Sequence, residues 1–199
     1  MIDLTTAIKY IGGHWEDNGK KQFDFIVGQG LKPNHYFLDI GFGVFRGGRF
    51  FIDYLDFAHY CGIEQHGWLV EVGLNNVIKI LNQKKEPIIV INSDFDFSKF
   101  ILEGIEFDYV LAKSVFSHLT KDKIKQCLNN LKEVIKKDGV FYASIFVGDS
   151  SKNLSKSDDT RKFMYSLDEI KELADGWNVE SMGNAGCYRQ TMVKFTLKK

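Results

Sequence analysis

The chain has 199 residues, a length that suits one folded domain. Hydrophobic residues make up 44% of it and aromatic residues 14%, which favours a packed core over disorder. The 26 basic side chains equal the 26 acidic ones, so the basic face that binds nucleic acid is not expected.

The cysteines and the first residues predict the compartment. Cys61, Cys127 and Cys187 stand far apart, so we expect reduced thiols in the core of a cytoplasmic protein. Charged residues interrupt the N-terminal apolar positions, so no signal peptide is expected. No run reaches about 18 apolar residues, so no membrane span is expected either.

Residues 1–34 form a leader before the first predicted strand. Leu4, Ile8 and Ile11 recur at helical spacing and predict a short helix that ends at two glycines. A second apolar stretch follows it. Two interpretations stay open: the leader is a helical cap over a ligand site, or its helices only pack on a sheet.

The stretch from Tyr36 to Gly48 is the most informative part of the chain. Its apolar run Tyr36–Ile40 predicts a buried strand, and the residues after Gly48 have the apolar spacing of a helix. The turn between them is rich in glycine, which lets the backbone approach a ligand closely. A turn of this kind presents backbone N–H groups to a negatively charged or polar ligand.

The glycine spacing distinguishes two classes of cofactor. The dinucleotide fingerprint requires glycine at three positions of the turn, where this chain has Gly41, Gly43 and Arg46. The strand before the turn also carries an acid, Asp39, unlike that fingerprint. The string LDIGFGVFRGG instead resembles LDIGCG-x-x-RGG, the first motif of one group of class I S-adenosylmethionine (SAM)-dependent methyltransferases.

Two residues depart from that methyltransferase motif. Phe42 stands where many members have cysteine, and Phe45 stands where many have a third glycine. Neither departure removes Asp39 or the first two glycines. The later string GIEQHGWLVEVG is similar to GIEPN-x-WLIEAG of the same group, and the resemblance extends from Trp15 to Phe195.

The rest of the chain alternates predicted strands with predicted helices, which indicates an α/β fold. The helix after Thr120 is expected to end at Gly139, and Ser166 with Glu169 predicts a capping box at a later helix. Two strand-like runs close the chain. The resemblance implies a Rossmann-like methyltransferase fold, a doubly wound, mostly parallel seven-stranded sheet with helices on both faces and an antiparallel C-terminal hairpin. We therefore expect one domain, residues 1–199, with a helical cap at 1–34 and a core at 35–199.

The resemblance implies that SAM is the cofactor, that S-adenosylhomocysteine is its product and that no metal is needed. Glu64 follows the glycine turn by about 20 residues and stands at the end of a predicted strand. A carboxylate there can accept hydrogen bonds from both hydroxyl groups of a ribose. The other expected cofactor-binding residues lie in or near the turns after strands. They are Asp39, Gly41 and Gly43 near the methionine part, Arg46 in the same turn, Gln65, Asp94 and Phe95 around the adenine, and Lys113 and Ser114 near the amino group.

The candidate catalytic base is His118, just after the fourth predicted strand, because histidine can accept a proton near neutral pH. The alternative is that His118 only fills the entry of a helix or bonds a backbone carbonyl. The polar stretch Gly148–Lys162 predicts a mobile loop that borders the acceptor.

We expect methyl transfer to an oxygen or nitrogen of a small molecule or sugar. A nicotinamide-dependent oxidoreductase and a non-catalytic SAM-binding domain remain as alternative functions.

Overall fold

The computed structural model describes residues 2–80, 85–185 and 189–199. These ranges contain seven α-helices and eight β-strands, which form two compact units, Met1–Ser93 and Asp94–Lys199. Cys61 and Cys127 are both buried, while the predicted core thiol Cys187 lies outside the described residues. Within the same ranges, no helix combines the length and the apolar character that crossing a membrane requires.

The first unit opens with the two helices of the leader, α1 (Leu4–Tyr10) and α2 (Trp15–Gly28). The Asp3 side chain caps α1 by accepting a hydrogen bond from the N–H of Thr6 at 2.7 Å. Two glycines with positive φ follow the helix and turn the chain toward α2. The predicted first helix and its glycine end are therefore confirmed.

Three parallel strands form the sheet of the first unit, in the order β3 (Ile88–Ile91), β2 (Tyr60–Glu64), β1 (Phe37–Ile40). Helix α3 (Gly48–Tyr54) follows β1, and helix α4 (Gly67–Asn76) follows β2. Strands β1 and β2 are buried along their whole length, as expected for strands inside a parallel sheet. Because parallel strands end at the same edge, the glycine turn after β1 lies beside the acid that ends β2.

The second unit contains both parallel and antiparallel strand pairs. Its strands are β4 (Phe107–Ala112), β5 (Ile135–Val147), β6 (Met164–Tyr165), β7 (Trp177–Ser181) and β8 (Thr191–Leu197), and its helices are α5 (Ser98–Leu102), α6 (Lys121–Leu131) and α7 (Leu167–Leu173). Strand β5 is parallel to β4 and to the two-residue strand β6. Strand β8 is antiparallel to both β5 and β7. The predicted α/β fold, mostly parallel with antiparallel C-terminal strands, is confirmed.

The predicted end of α6 is wrong. The helix ends at Leu131, and the polar segment expected to close it already belongs to β5, which begins at Ile135. Strand β5 pairs with Phe107 of β4 at Ile135 and then shifts register. Gly139 allows this irregularity, because a Cβ there would lie 2.7 Å from the carbonyl oxygen of Phe107. The sequence predicts a helix here because two lysines followed by a glycine are typical of the end of a helix.

The predicted capping box at the start of α7 is confirmed. The Ser166 hydroxyl accepts the N–H of Glu169 at 3.1 Å, and the Glu169 carboxylate accepts the N–H of Ser166 at 2.8 Å. The same carboxylate accepts Lys121 Nζ at 2.6 Å, which connects the starts of α7 and α6.

The two residues that depart from the methyltransferase motif pack against each other. The Phe42 and Phe45 rings are buried with their centroids 4.4 Å apart. Phe45 has a φ of 64°, a conformation that residues other than glycine rarely adopt. Its ring occupies space that Gly73 of α4 leaves open. Core packing thus holds the strained backbone in place.

We expect Gly73→Ala to lower the free energy of unfolding, because the added Cβ would lie 2.4 Å from Phe45 Cδ2. Overpacking of this kind costs about 1–3 kcal/mol, more than the ~1 kcal/mol that alanine gains over glycine in a helix. Urea denaturation measures the difference. Gly28→Ala in α2 is the matched control, because a Cβ there meets no atom within 4 Å, and it should be neutral or stabilising. Equal stability of the two variants would contradict this packing.

Candidate functional site

The acid that ends β2 fixes the glycine turn that follows β1. The N–H of Gly43 donates to Glu64 Oε2 at 2.8 Å, and the N–H of His66 donates to Glu64 Oε1 at 3.0 Å. Gly41 and Gly43 have φ of 69° and 62°, so this path of the turn favours glycine at both positions. The turn, the strand end and the following helix entry therefore meet at one buried carboxylate.

Glu64 is only 5% exposed, and burial raises its pKa while the backbone N–H donors oppose the rise. A carboxylate has about four lone-pair sites, so one that bonds backbone amides can still accept hydroxyl groups of a ligand. Glu64 thus holds the turn, and its remaining lone pairs leave it able to accept further hydrogen bonds.

A second buried acid, Asp39, lies in β1 just before the turn. The Tyr60 hydroxyl donates to Asp39 Oδ2 at 3.0 Å. Burial raises the pKa of Asp39 to about 7, the Glu64 charge adds to the rise, and the Tyr60 bond and the Arg46 charge oppose it. An ammonium group placed beside Asp39 would favour its ionised form.

Arg46 connects the glycine turn to the leader. Its Nη1 donates to the carbonyl oxygens of Ile11 at 3.1 Å and Gly13 at 2.9 Å. Its Nε is buried and has no hydrogen-bond partner among the described residues. Leaving a buried donor unpaired costs about 1–3 kcal/mol. Nε and Nη2 form one edge of the guanidinium, and such an edge binds a carboxylate through two parallel hydrogen bonds.

The leader packs directly on the glycine turn. Ile11 Cγ2 lies 3.2 Å from the position that a Cβ on Gly43 would occupy. The Tyr10 ring packs edge-on against Trp68 at 5.1 Å, and its hydroxyl lies 3.3 Å from His66 Nε2. Gln65, one of the predicted adenine-binding residues, is exposed, and its Nε2 lies 3.1 Å from the same His66 nitrogen. Six of the predicted cofactor residues, Asp39, Gly41, Gly43, Arg46, Glu64 and Gln65, thus lie in the first unit at the ends of β1 and β2.

In the second unit, the predicted residues Asp94 and Phe95 are attached to α6. Asp94 is exposed and forms an ion pair with Lys123 at 2.9 Å. Phe95 is buried with a φ of 52°, and its carbonyl oxygen accepts Asn130 Nδ2 at 2.9 Å. Side chains of α6 therefore contact this turn at both residues.

The predicted residues Lys113 and Ser114, just after β4, belong to a polar network that sequence reasoning missed. The N–H of Ser114 donates to Ser144 Oγ at 2.7 Å. Gln190 Oε1 accepts three hydrogen bonds, from Lys113 Nζ at 2.8 Å, Ser114 Oγ at 3.1 Å and Ser144 Oγ at 2.7 Å. Ser144 and Gln190 are buried. The only sequence signal was a serine inside the apolar run of β5.

His118 ends a short 3₁₀ turn after β4. Its Nδ1 lies 2.7 Å from the carbonyl oxygen of Arg161. A carbonyl oxygen only accepts, so Nδ1 carries the hydrogen and the neutral ring has its lone pair on Nε2. Nε2 has no hydrogen-bond partner within the described ranges. The alternative considered for His118, a bond to a backbone carbonyl, is present, and it is compatible with a base.

No protein-family model and no curated protein matches the sequence. Solved structures do match it in fold. The CcbJ methyltransferase of Streptomyces caelestis is 13% identical with a TM-score of 0.72, over 97% of this chain and 96% of that one. Magnesium protoporphyrin IX methyltransferase of Synechocystis, solved with bound SAM, is 11% identical with a TM-score of 0.68, over 100% and 86%.

A SAM-dependent methyltransferase of Clostridium acetobutylicum is also similar, at 10% identity and a TM-score of 0.69, over 96% of this chain and 95% of that one. At these identities the likeness shows the fold alone. The chain thus has the Rossmann-like α/β fold of these methyltransferases, over nearly its whole length.

We expect Asp39→Asn to change how stability depends on pH. The raised pKa of Asp39 makes its neutral form stabilising below the ordinary value of 3.8, and this contribution is lost as pH rises through about 7. Asparagine stays neutral and can still accept the Tyr60 hydroxyl. The variant should be more stable than the wild type at pH 8, by up to roughly 4 kcal/mol, with the difference shrinking toward pH 5.

Urea denaturation across this pH range measures the difference. Tyr60→Phe is the companion variant: it removes a hydrogen bond that lowers the pKa of Asp39, so it should move the loss of stability to higher pH. A difference between wild type and Asp39→Asn that is the same at every pH would show that Asp39 is not desolvated.

Proposed function

We propose that the protein is a cytoplasmic SAM-dependent methyltransferase that methylates an oxygen or nitrogen of a small-molecule or sugar acceptor. The observation that carries this proposal is the set of buried groups around the glycine turn. Asp39 and Arg46 have opposite charges there, and Glu64 holds the turn between them. The likeness in fold to solved methyltransferases supports it.

The charges around the turn fit the amino-acid end of SAM. An ammonium group beside Asp39 would favour the ionised acid, and a carboxylate would pair with the unpartnered Nε of Arg46. A nicotinamide dinucleotide has no ammonium and carboxylate on one carbon, and its diphosphate would meet the Asp39 charge. The residues therefore favour SAM over the dinucleotide alternative.

We assign the remaining predicted residues to the ribose, the adenine and the amino group of SAM. Glu64 would accept the ribose hydroxyls, and Gln65, Asp94 and Phe95 would border the adenine. The backbone carbonyls near Lys113 and Ser114 would receive the amino group, because the N–H of Ser114 already donates to Ser144. Bound SAM supplies a methyl group on a positively charged sulfur, which is a good leaving group.

The protein's own contribution to the reaction would be alignment and proton removal. Holding the acceptor atom in line with the methyl group supplies most of the rate. His118 would accept the proton of a hydroxyl or an ammonium at Nε2, since its Nδ1 already carries a hydrogen.

We also propose that the leader, residues 1–34, is a cap over the cofactor rather than a pair of helices that only pack on the sheet. Ile11 lies on the Gly43 backbone, and Arg46 bonds the carbonyl oxygens of Ile11 and Gly13. Tyr10 also extends over His66, beside the end of β2. The leader and the glycine turn would then close around the cofactor together.

We expect S-adenosylhomocysteine, and not NAD or NADP, to bind in a calorimetric titration. Its affinity should fall as pH drops below about 7, by up to tenfold per pH unit, because the ammonium needs ionised Asp39. Arg46→Lys keeps the charge but loses the two-donor edge, so affinity should fall at least tenfold.

Arg49→Lys is the matched control for that variant. Arg49 pairs with the exposed Glu16 and bonds only the backbone carbonyl of Arg46, at 3.3 Å, so the Arg46 side chain stays intact and the variant should bind S-adenosylhomocysteine normally. Tight NAD binding with no S-adenosylhomocysteine binding would reverse the assignment.

We expect His118→Asn to lower the single-turnover methylation rate by about 10²-fold while leaving cofactor affinity unchanged. An asparagine amide can replace Nδ1 as donor to Arg161 but has no equivalent of Nε2. The measurement uses an acceptor found by screening small molecules and sugars for S-adenosylhomocysteine release. A full rate in this variant would exclude His118 as the base. If none of the acceptors tested led to release of S-adenosylhomocysteine, the result would indicate a non-catalytic SAM-binding domain.

A further inference from the structure

The polar segment Asp149–Phe163, here called the strap, is bonded along the turn that carries His118. The N–H of Asp158 donates to the carbonyl oxygen of His118 at 3.0 Å, and the N–H of Phe163 donates to that of Ser117 at 2.8 Å. In return, the N–H of Thr120 donates to Ser157 Oγ at 3.0 Å. The strap therefore follows residues 117–120 instead of lying free in solvent.

Both ends of the strap are attached to the body of the second unit. Phe163 is 1% exposed, so an aromatic ring anchors the C-terminal end in the core. Asn153 exchanges two hydrogen bonds with the backbone of Met164, at 2.8 Å and 2.9 Å. The structure thus gives this segment more anchors than its polar sequence predicts.

The position of the Arg161 carbonyl is set by a small turn within the strap. Asp158 Oδ1 accepts the N–H of Thr160 at 2.7 Å, and the N–H of Arg161 donates to the carbonyl oxygen of Asp158 at 3.2 Å. The carbonyl that this turn orients lies 2.7 Å from His118 Nδ1. The strap therefore bonds His118 at two places, the ring nitrogen Nδ1 and the backbone carbonyl oxygen.

We propose that the strap fixes the tautomer of His118 and so makes Nε2 the proton acceptor, with Arg161 as a positioning residue acting through its carbonyl. The inference rests on the proposed methyl transfer. Without the strap, the neutral ring could carry its hydrogen on either nitrogen, and a ring protonated at Nε2 has no lone pair to offer there.

The proposed methyl transfer conserves atoms and charge. The acceptor atom forms a bond to the methyl carbon, the carbon–sulfur bond breaks, and the acceptor proton moves to Nε2. His118 becomes an imidazolium whose Nδ1–H still donates to Arg161, and a hydrogen bond from a charged donor is the stronger kind. The ring later releases the proton to water.

The test compares two double variants of the strap, each of which removes one aspartate and one serine. Ser157→Ala with Asp158→Ala removes the side-chain bonds that hold the turn against His118. Asp149→Ala with Ser151→Ala is the control, because these two bond each other at the far end of the strap. The ring-nitrogen NMR spectrum reports the tautomer in the free, full-length protein, and His118→Gln assigns its signal.

In the wild type and the control variant, the expected signal is a single neutral tautomer with the hydrogen on Nδ1. In the Ser157 and Asp158 variant, that signal should weaken at least twofold as the Nε2–H tautomer appears. An Nε2–H tautomer in the wild type, or an unchanged tautomer in both variants, would overturn the proposal. Because this readout needs neither SAM nor acceptor, failure of the strap is distinguishable from failure of S-adenosylhomocysteine binding, which would instead overturn the methyltransferase function and the base with it.

Discussion

The candidate site of the first unit depends on one hydrogen bond, from the N–H of Gly43 to the buried Glu64 carboxylate. A carboxylate with so little exposure needs donors, and a glycine turn has backbone N–H groups that need acceptors. Each satisfies the other, and parallel pairing of β1 and β2 places them at the same edge. The site is therefore formed by the sheet itself before any ligand arrives.

Burial also leaves two charged groups in this region without full compensation. Asp39 and Arg46 have both lost most of their water, which raises the pKa of the acid and lowers that of the guanidinium. Neither forms an ion pair that fully compensates for this loss within the described residues. A zwitterionic ligand would supply both missing partners, and the leader turn that Arg46 holds would be stabilised with it. By linkage, leader docking and ligand binding would strengthen each other.

Sequence reasoning succeeded where local pattern decides the structure. The apolar run before Gly41, the alternation of strands and helices and the Ser166 capping box all depend on neighbours in the chain, and each is confirmed. It failed where distant residues decide. The polar start of β5 is a strand only because β4 lies beside it. Gln190 accepts hydrogen bonds from two separate segments, Lys113 and Ser114 after β4 and Ser144 in β5, and no spacing in the sequence signals such a network.

The Phe45 ring and the missing side chain at Gly73 have a consequence for which substitutions this chain can accept. Glycine at position 45 would relax the backbone but leave a void the size of a phenyl ring, whereas a side chain at position 73 would collide with that ring. Neither position can change alone without loss, so the effects of substitutions at the two positions are not additive. A search pattern that demands glycine at position 45 would pass over such a chain even though its backbone keeps the left-handed turn that glycine usually provides.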